Sequence, residues 1–229
     1  MNTAIQTNTA NLILNKSDID LNRLVSIVTG SLNGYDGELY LESSQSTSLS
    51  LSNGRIEPTE NEKAAGFGLR LFSDEQSAYV YSDDLTIASV LRAVDKIAEA
   101  KRGYRSGIIA LPSIAPSAPC LYKQDDILLS MPSKDEQIKF FEDVERRLKA
   151  ADPRIVQVGA SLSASMRNVC IIRANGAMMM DMRPMSTFNI SAVGQQGERL
   201  ENVRAAFSMQ MESRAVFNQA AADRMVEKI

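Results

Sequence analysis

Adjacent carboxylates are the first residues of this 229-residue chain that could do chemistry. Asp83-Asp84 and Asp125-Asp126 could each hold a metal ion or act as a general acid and base. The first pair comes directly before a predicted helix, and capping of that helix by an aspartate explains it. The second pair lies in a proline-rich stretch, where exposure to solvent explains it. Structural roles are therefore favoured for both pairs.

A second acidic group and a glycine pair have simple structural explanations as well. Glu57, Glu60 and Glu62 could form an acidic patch, but a charged face beside a hairpin is the default. Gly66-Phe67-Gly68 lacks the third glycine of a dinucleotide-binding loop and opens no helix. Glycine within a strand more often marks a bulge or a close approach of the backbone.

Sulfur atoms are the remaining candidate ligands. The run 178–180 of three methionines, followed by Met182 and Met185, could suggest a soft-metal site. Consecutive residues of a strand point to opposite faces, so these sulfurs cannot all converge on one ion. Core packing together with a partner surface is favoured. Cys120 and Cys170 have no CxxC spacing, which favours two reduced thiols in a cytoplasmic protein over a disulfide framework.

The composition excludes several classes of function. The chain contains no histidine, so Ser-His and Cys-His catalysis and histidine-bearing zinc sites are impossible within it. Its 25 Lys and Arg against 28 Asp and Glu leave a net charge of −3, without the basic stripe that nucleic-acid binding requires. No stretch approaches the ~20 apolar residues of a membrane span, and no signal-peptide pattern is present. The residues alone predict a soluble α+β protein, with no catalytic, cofactor-binding or metal-binding residue.

The first half of the chain predicts a helix, a series of strands and a second helix. Ser17 is a candidate N-cap of a helix that ends near Asn33-Gly34. Alternating strands follow, and Asn53-Gly54 predicts a type I′ turn because both residues tolerate positive φ. The second helix follows Ser82-Asp83-Asp84 and ends before Gly103.

The second half repeats this order. Ser133 is the predicted cap of a helix, Asn175-Gly176 a second hairpin turn of the same kind, and a final helical segment runs from about Ser213 to Ile229. The two Asn-Gly turns are 122 residues apart, and a similar shift relates the helices. We therefore predict a duplicated helix–antiparallel meander–helix unit, with sheets covered by helices.

A proline-rich stretch marks the predicted boundary between these units. The predicted organisation is a polar N-terminal tail at 1–16, a first α+β unit at 17–103, a connection at 104–133 and a second unit at 134–229.

Seven segments stand in a characteristic order and spacing: 37–42, 53–56, 66–70, 79–85, 152–158, 172–176 and 181–184. This ordered set resembles the TldD/PmbA family of metallopeptidases, whose members are also described as modulators of DNA gyrase. The resemblance covers about residues 17–207 and is nearer the TldD branch. After residue 207 the chain departs from the pattern, because the glycine-rich stretch expected there is missing.

This resemblance implies that the chain is the N-terminal region of a TldD-like zinc metallopeptidase and lacks the C-terminal metal-binding domain. The family builds its zinc site in that later half, on a His-Glu-x-x-x-His helix plus a cysteine, and no such motif occurs here. No catalytic residue is therefore carried over to this chain, which is expected to be inactive alone. Zinc is expected in the C-terminal half of a full-length relative.

The resemblance also implies partners. A TldD/PmbA-type subunit, in a hetero- or homodimer, and a peptide substrate are expected, but no nucleic acid or membrane. The expected role is to supply a chamber wall and contacts to subunit and substrate. We hypothesise that the apolar strand Val203–Met211 and the segment Met178–Met185 face a partner or the C-terminal half; alternatively, the strand faces the chain's own helices. The alternative functions are a non-catalytic binding or structural module, a truncated gene product of the family, or a regulator of a DNA enzyme.

Overall fold

The computed structural model of the chain describes residues 13, 19–73, 76–100, 131–210 and 216–228. The described elements alternate between helices and antiparallel strands, which confirms the predicted α+β class and the repeated order of elements. In chain order they are α1 (Leu21–Ser31), β1 (Asp36–Ser52), β2 (Arg55–Ile56), β3 (Glu60–Ser73), β4 (Gln76–Ser82), α2 (Ile87–Ala100), α3 (Lys134–Ala151), β5 (Ile155–Arg173), β6 (Met178–Gln196), β7 (Arg199–Met209) and α4 (Gln219–Val226).

The strands form a seven-stranded sheet in the order β4-β3-β1-β5-β6-β7, with β2 paired to β1. The first long strands of the two predicted repeats, β1 and β5, are therefore neighbours. They run antiparallel, because the Ala174 amide donates to the Gly37 carbonyl at 2.9 Å and the Asn53 amide donates to the Val158 carbonyl at 2.7 Å. The strand order on one side of this pair mirrors the order on the other, so the duplication extends to the topology.

The chain divides into two compact units whose segments alternate along the sequence. Unit 1 comprises Met1–Ser44, Lys63–Leu121 and Arg167–Met182, and unit 2 comprises Gln45–Glu62, Tyr122–Met166 and Arg183–Ile229. The predicted units, 17–103 and 134–229, divide the chain only once, and their boundaries remain a prediction. The predicted connection at 104–133 lies outside the described residues up to residue 130.

Unit 1 has its own apolar core. Leu39 and Leu41 on β1 are buried and alternate with half-buried residues, and Phe67, Leu69 and Leu71 on β3 are buried and separated by Gly68 and the exposed Arg70. Side chains of α1 and α2 cover this face of the strands. The helical residues in this core are Leu24, Val28, Val90, Ala93 and Ile97.

An ion-pair network lies on the opposite face of unit 1. The Arg173 guanidinium pairs with Asp36 at 2.8 Å and with Glu38 at 2.9 Å. The three side chains are at most 17% exposed, so little water screens the pairs. Arg173 thereby adds a side-chain link between β5 and β1 to the backbone hydrogen bond nearby.

Unit 2 is built around a second core from the other ends of the same strands. Leu49 and Leu51 at the end of β1 are buried with Phe141 and Val144 of α3 and Phe188 of β6. The stretch 42–48 between the two apolar parts of β1 contains only Glu, Ser, Gln and Thr. A single strand thus carries one apolar segment for each core, joined by a polar middle.

Capping interactions correct one predicted helix boundary and confirm another. The helix α1 begins at Leu21, because the Asp20 side chain accepts from the Asn22 amide at 3.1 Å; the predicted cap Ser17 lies outside the described residues. Ser133 caps α3 as predicted, in a capping box with Glu136.

The predicted final helical segment contains α4, which begins at Gln219, where the Asn218 side chain caps it by accepting from the Ala221 amide at 3.0 Å. Val216 is also helical, and the start of the segment near Ser213 stays a prediction. Residues 211–215 and 229 lie outside the described part of the chain. Among the described helices, none combines the length and the apolar character that a membrane crossing would require.

The two Asn-Gly turns differ in type. Asn53 and Gly54 both have positive φ, 47° and 78°, and connect the paired residues Ser52 and Arg55, which confirms the predicted type I′ turn. At the second turn only Gly176 has positive φ, 82°. The prediction of a second turn of the same kind is wrong. The Asn175 side chain accepts from the Ala177 amide at 2.9 Å and holds a different turn, closed by the glycine.

Replacing Gly54 tests the first turn. We expect Gly54→Ala to lower the free energy of unfolding by roughly 1–2 kcal/mol, because a side chain at this φ is strained. The matched control is Gly30→Ala within α1, where a new Cβ meets nothing within 4 Å. This control should raise the free energy of unfolding by about 0.5–1 kcal/mol. Urea denaturation followed by circular dichroism measures both, and equal stability of Gly54→Ala and the wild type would contradict the assignment.

Candidate functional site

The carboxylate pair Asp83-Asp84 does not cap α2 through its own side chains. Thr86 is the cap, because its hydroxyl accepts from the Ser89 amide at 3.2 Å. Asp84 instead accepts from the hydroxyl of Ser89 at 2.5 Å, from that of Thr86 at 3.2 Å and from the Arg92 guanidinium at 3.3 Å. The hydrogen bond from Ser89, followed by the contacts with Thr86 and Arg92, lowers the pKa of Asp84 against the opposing effect of desolvation. The aspartate therefore supports the cap indirectly.

Among the other predicted acidic residues, Glu57, Glu60 and Glu62 lie in the described part of the chain and form no metal-binding cluster there. Glu57, Glu60 and Glu62 are exposed, and a Glu60 carboxylate oxygen accepts from the Ser48 hydroxyl at 3.3 Å. Asp125-Asp126 lies outside the described residues. Within the described ranges, no group of three or more His, Cys, Asp or Glu side chains could hold a metal ion.

The methionine segment alternates between faces of β6. Met178 and Met180 pack against the core of unit 1, Met182 is buried, and Met185 is partly exposed. Met178, Met180 and Met182 thus pack within the chain, and the hypothesis that the segment faces a partner or the C-terminal half stays a prediction. The segment contributes mainly to packing.

The apolar strand of the second half also faces its own unit. Ala205, Phe207 and Met209 of β7 pack against the core of unit 2, in register with Ile190, Phe188 and Ser186 of β6. This packing favours the alternative, in which the strand faces the chain's own helices. Val203 on the same strand is 38% exposed, and a contact of the strand with a partner stays a prediction. Met211 lies outside the described residues.

The cysteines offer no reactive thiolate in the described part of the chain. Cys170 is a free cysteine buried in the core of unit 1. Burial raises the pKa of its thiol to about 12, so the nucleophilic thiolate is scarce at neutral pH. Cys120 lies outside the described residues.

A groove of about 520 Å³ lies on the face of unit 1 opposite to α1 and α2. Its side chains come from β1, from β3 and from β4 with the residue that follows it. We call it the tyrosine groove and define it by the lining residues Tyr40, Glu42, Gly66, Gly68, Tyr79, Tyr81 and Asp83.

Tyrosines form the outer wall of the tyrosine groove. The rings of Tyr79 and Tyr81 are stacked with centroids 5.9 Å apart and planes at 23°. Tyr79 is 54% exposed and Tyr81 75% exposed. On the inner side, the Tyr40 hydroxyl donates to Glu42 at 2.5 Å. β4 thus contributes two aromatic side chains to the groove, and β1 contributes one aromatic and one acidic side chain.

Glycines form the floor of the tyrosine groove. A Cβ atom at Gly68 would lie 2.6 Å from a ring carbon of Tyr79, and one at Gly66 would lie 2.7 Å from the Ser82 carbonyl oxygen. Both distances are too short for real side chains, so glycine is required for the Tyr79 ring to lie across β3. This is the close approach of the backbone that the Gly-x-Gly spacing predicted.

A second concavity, of about 390 Å³, lies in unit 2. Its floor is apolar, with Leu148, Ile155, Ala192, Val203 and Val226, and polar side chains stand around it. Two short ion pairs belong to this rim, Arg154 with Asp152 and Arg199 with Glu201, each at 2.6 Å. Both partners of each ion pair belong to the rim itself, so these pairs give the pocket no net charge, and we assign no ligand to it.

The tyrosine groove could have been found from the sequence by combining two signals. Tyr79-Val80-Tyr81 places two aromatic side chains on one face of a strand, and Gly66-Phe67-Gly68 leaves one face of another strand without side chains. The pairing of Gly68 with Tyr81 brings the two together. The register between β3 and β4 was the missing information.

The chain is a duplicated antiparallel α+β region, and its described part contains no metal-binding cluster. Two family models match the chain. The model described as PmbA/TldA metallopeptidase domain 1 matches residues 37–101, and the one described as PmbA/TldA metallopeptidase central domain matches residues 128–229. The chain therefore belongs to the PmbA/TldD family.

Relatives agree with this membership. A protein described as a metalloprotease TldD homolog from Haemophilus influenzae is 28% identical over 197 residues, which are 84% of this chain and 40% of the relative. A protein of the same description from Buchnera aphidicola subsp. Schizaphis graminum is 26% identical over 169 residues, or 74% of this chain and 35% of the relative. The matched part of the chain thus spans 40% and 35% of the length of these two relatives.

Solved structures share the fold. A protein from Bacteroides thetaiotaomicron described as a modulator of DNA gyrase superposes with a TM-score of 0.70 at 18% identity, over 91% of this chain and 50% of that chain. TldE from Thermococcus kodakarensis superposes with a TM-score of 0.65 at 13% identity, over 91% of this chain and 46% of its own.

The ion pair on the rim of the unit 2 pocket predicts a pH dependence. Hydrogen bonds from the Arg154 guanidinium, and then from its backbone amide, lower the pKa of Asp152 from 3.8 to about 2. A depressed folded-state pKa adds stability above the unfolded-state value, and this stability is lost as the pH falls through the folded-state value. Asp152→Asn should therefore unfold at lower urea concentration than the wild type at pH 7. The difference should shrink below about pH 4 and be lost only as the pH falls below about 2.

The matched control for this experiment is Glu57→Gln, which removes an exposed carboxylate from the same unit. Its urea midpoint should follow that of the wild type at every pH. If the urea midpoints of Asp152→Asn and the wild type differ by the same amount at every pH, the ion pair between Asp152 and Arg154 does not cause the difference.

Proposed function

We propose that this chain supplies the N-terminal, non-catalytic part of a TldD-like zinc metallopeptidase that cleaves peptides or unfolded proteins in the cytoplasm. The match of two consecutive family domains to a chain without histidine carries this proposal. The first and central domains then act as a wall of the reaction chamber and as a source of contacts with a second subunit and with substrate.

The zinc ion of such an enzyme does not fit this chain. A catalytic zinc site uses nitrogen, oxygen and sulfur ligands converging on one point, and three protein ligands are usual. This chain has no histidine, and its described residues contain no cluster of three or more candidate ligands. The buried, protonated thiol of Cys170 is also a poor ligand. No step of peptide hydrolysis is therefore assigned to residues of this chain.

A family subunit is the proposed partner. The similar proteins from Haemophilus influenzae and Thermococcus kodakarensis are described as a TldD homolog and as TldE. The similarity of this chain to both kinds of subunit supports assembly with a TldD/PmbA-type subunit. The runner-up is a binding or structural module that keeps the fold without taking part in proteolysis. Regulation of a DNA enzyme is less favoured, because the net charge of −3 gives no electrostatic attraction to phosphate.

Reconstitution tests the proposal. The purified 229-residue chain, with zinc added, should leave an unstructured fluorogenic peptide intact. A mixture with a zinc-loaded TldD-type subunit should form a complex in size-exclusion chromatography and cleave the peptide in an EDTA-sensitive reaction.

A catalytically dead TldD-type subunit, with Gln in place of the Glu of its His-Glu-x-x-x-His motif, is the control. It should bind this chain without cleaving. Zinc-dependent cleavage by this chain alone would contradict the non-catalytic assignment. Failure to form a complex would contradict the assignment of the partner and favour the stand-alone module.

A further inference from the structure

We propose that the tyrosine groove of unit 1 binds arginine side chains of an extended, positively charged peptide segment. Three observations support this: exposed aromatic faces, carboxylates in the lining, and a floor that is already formed. Binding at this site needs neither a metal ion nor a second subunit. Peptide binding at this groove can therefore be tested independently of the proposed assembly.

The side chains of Tyr79 and Tyr81 are more exposed to solvent than is common for tyrosine. Tyrosine is large and mostly apolar, and it commonly buries most of its ring. Tyr79 and Tyr81 stand side by side with more than half of their surface in solvent. A contiguous exposed aromatic surface beside a concavity is typical of a binding site.

Unit 1 already contains the proposed interaction once. The Arg70 guanidinium carbon lies 5.5 Å from the centroid of the Tyr79 ring and 5.5 Å from that of Phe72. These distances are within the range of an attractive contact between a cation and an aromatic face. The neighbouring ring of Tyr81 presents the same chemistry to solvent, where a guanidinium from a ligand can stack on it.

Carboxylates in the lining favour a cationic ligand. The described residues that line the tyrosine groove include Glu42 and Asp83 but no Lys or Arg. Two guanidinium groups lie beside the lining, Arg70 over the Tyr79 ring and Arg167 against Glu42, so Asp83 is the main carboxylate offered to a ligand. Glu42 is held by the Tyr40 hydroxyl at 2.5 Å and by the Arg167 side chain at 3.2 Å. A carboxylate has about four acceptor positions, so two contacts leave capacity for a ligand. Asp83 is exposed at the end of β4.

Arginine fits this combination better than lysine does. Its planar guanidinium can stack on a tyrosine ring and donate two parallel hydrogen bonds to a carboxylate at the same time. The compact ammonium of lysine is more strongly hydrated and does not stack in this way. A groove of about 520 Å³ also exceeds the volume of one side chain, which favours a peptide segment over a free amino acid.

The floor of the tyrosine groove needs no rearrangement to accept a ligand. Gly66 and Gly68 leave the face of β3 open, and Tyr79 is held against Gly68 and Arg70. A site that is already formed loses less conformational entropy on binding. Glycine at both positions thus shapes the groove as well as allowing the strands to pack.

Fluorescence anisotropy of labelled peptides tests the proposal on the full 229-residue chain. The probes are three nine-residue peptides in which Gly alternates with Arg, with Lys or with Glu. The arginine peptide should bind most tightly, the lysine peptide more weakly, and the glutamate peptide not at all. Binding of the arginine peptide should weaken as salt is added, because the carboxylates are exposed enough to be screened.

Substitutions locate the site. Tyr81→Leu keeps apolar surface but removes the aromatic face, and it should weaken binding of the arginine peptide roughly two- to fivefold. Tyr81→Phe keeps the face and should bind like the wild type. Asp83→Asn should weaken binding at low salt and have less effect at high salt. The controls in unit 2 are Leu200→Ala, at a residue 61% exposed, and Glu57→Gln, and neither should change the affinity.

Three results would overturn the proposal. The first is that the arginine peptide does not bind, or binds no better than the glutamate peptide. The second is that Tyr81→Leu, shown to be folded by circular dichroism, binds like the wild type. The third is that the lysine peptide binds as tightly as the arginine peptide, which would exclude recognition by guanidinium stacking.

Discussion

The antiparallel pairing of β1 with β5 is the interaction on which the rest of the fold depends. Backbone hydrogen bonds join the two strands near both of their ends, at Gly37 with Ala174 and at Asn53 with Val158. Every other strand of the sheet is placed outward from this pair. A shift of one residue in its register would turn the leucines of β1 from the cores to the opposite face, so both cores depend on one register.

Much of the fold could be predicted from local patterns. Alternation at Leu39 and Leu41, the Ser133 cap and the Asn53-Gly54 turn are all set by neighbouring residues, and they were correct. Properties that depend on distant residues were not accessible. The polar stretch 42–48 interrupts the apolar pattern of β1, although the backbone continues through it as a strand. The two compact units therefore share strands in a way that apolar runs alone do not reveal.

The same division applies to the candidate site. The absence of histidine and of a metal-binding motif is visible in the sequence. The family resemblance explains this absence, because it implies that the zinc site lies in a different part of a full-length relative. Roles that depend on geometry were less accessible: Thr86 rather than the neighbouring aspartates caps α2 because its hydroxyl faces the Ser89 amide. The tyrosine groove depends on the register of β3 with β4, which no local pattern fixes. The apolar strand β7 was ambiguous because alternation does not say which face the helices cover.

The mirrored strand order has a consequence for the origin of the sheet. In each repeat the first long strand is the one that meets the other repeat, so a single repeat on a separate chain could pair that strand with a second copy of itself. Such a contact is isologous, and its stability would depend on protomer concentration. Joining the repeats in one chain replaces this dependence with a fixed effective concentration. It also frees the two outer strands to differ: β4 presents Tyr79 and Tyr81, whereas β7 presents Asn202 and Arg204 at the corresponding edge.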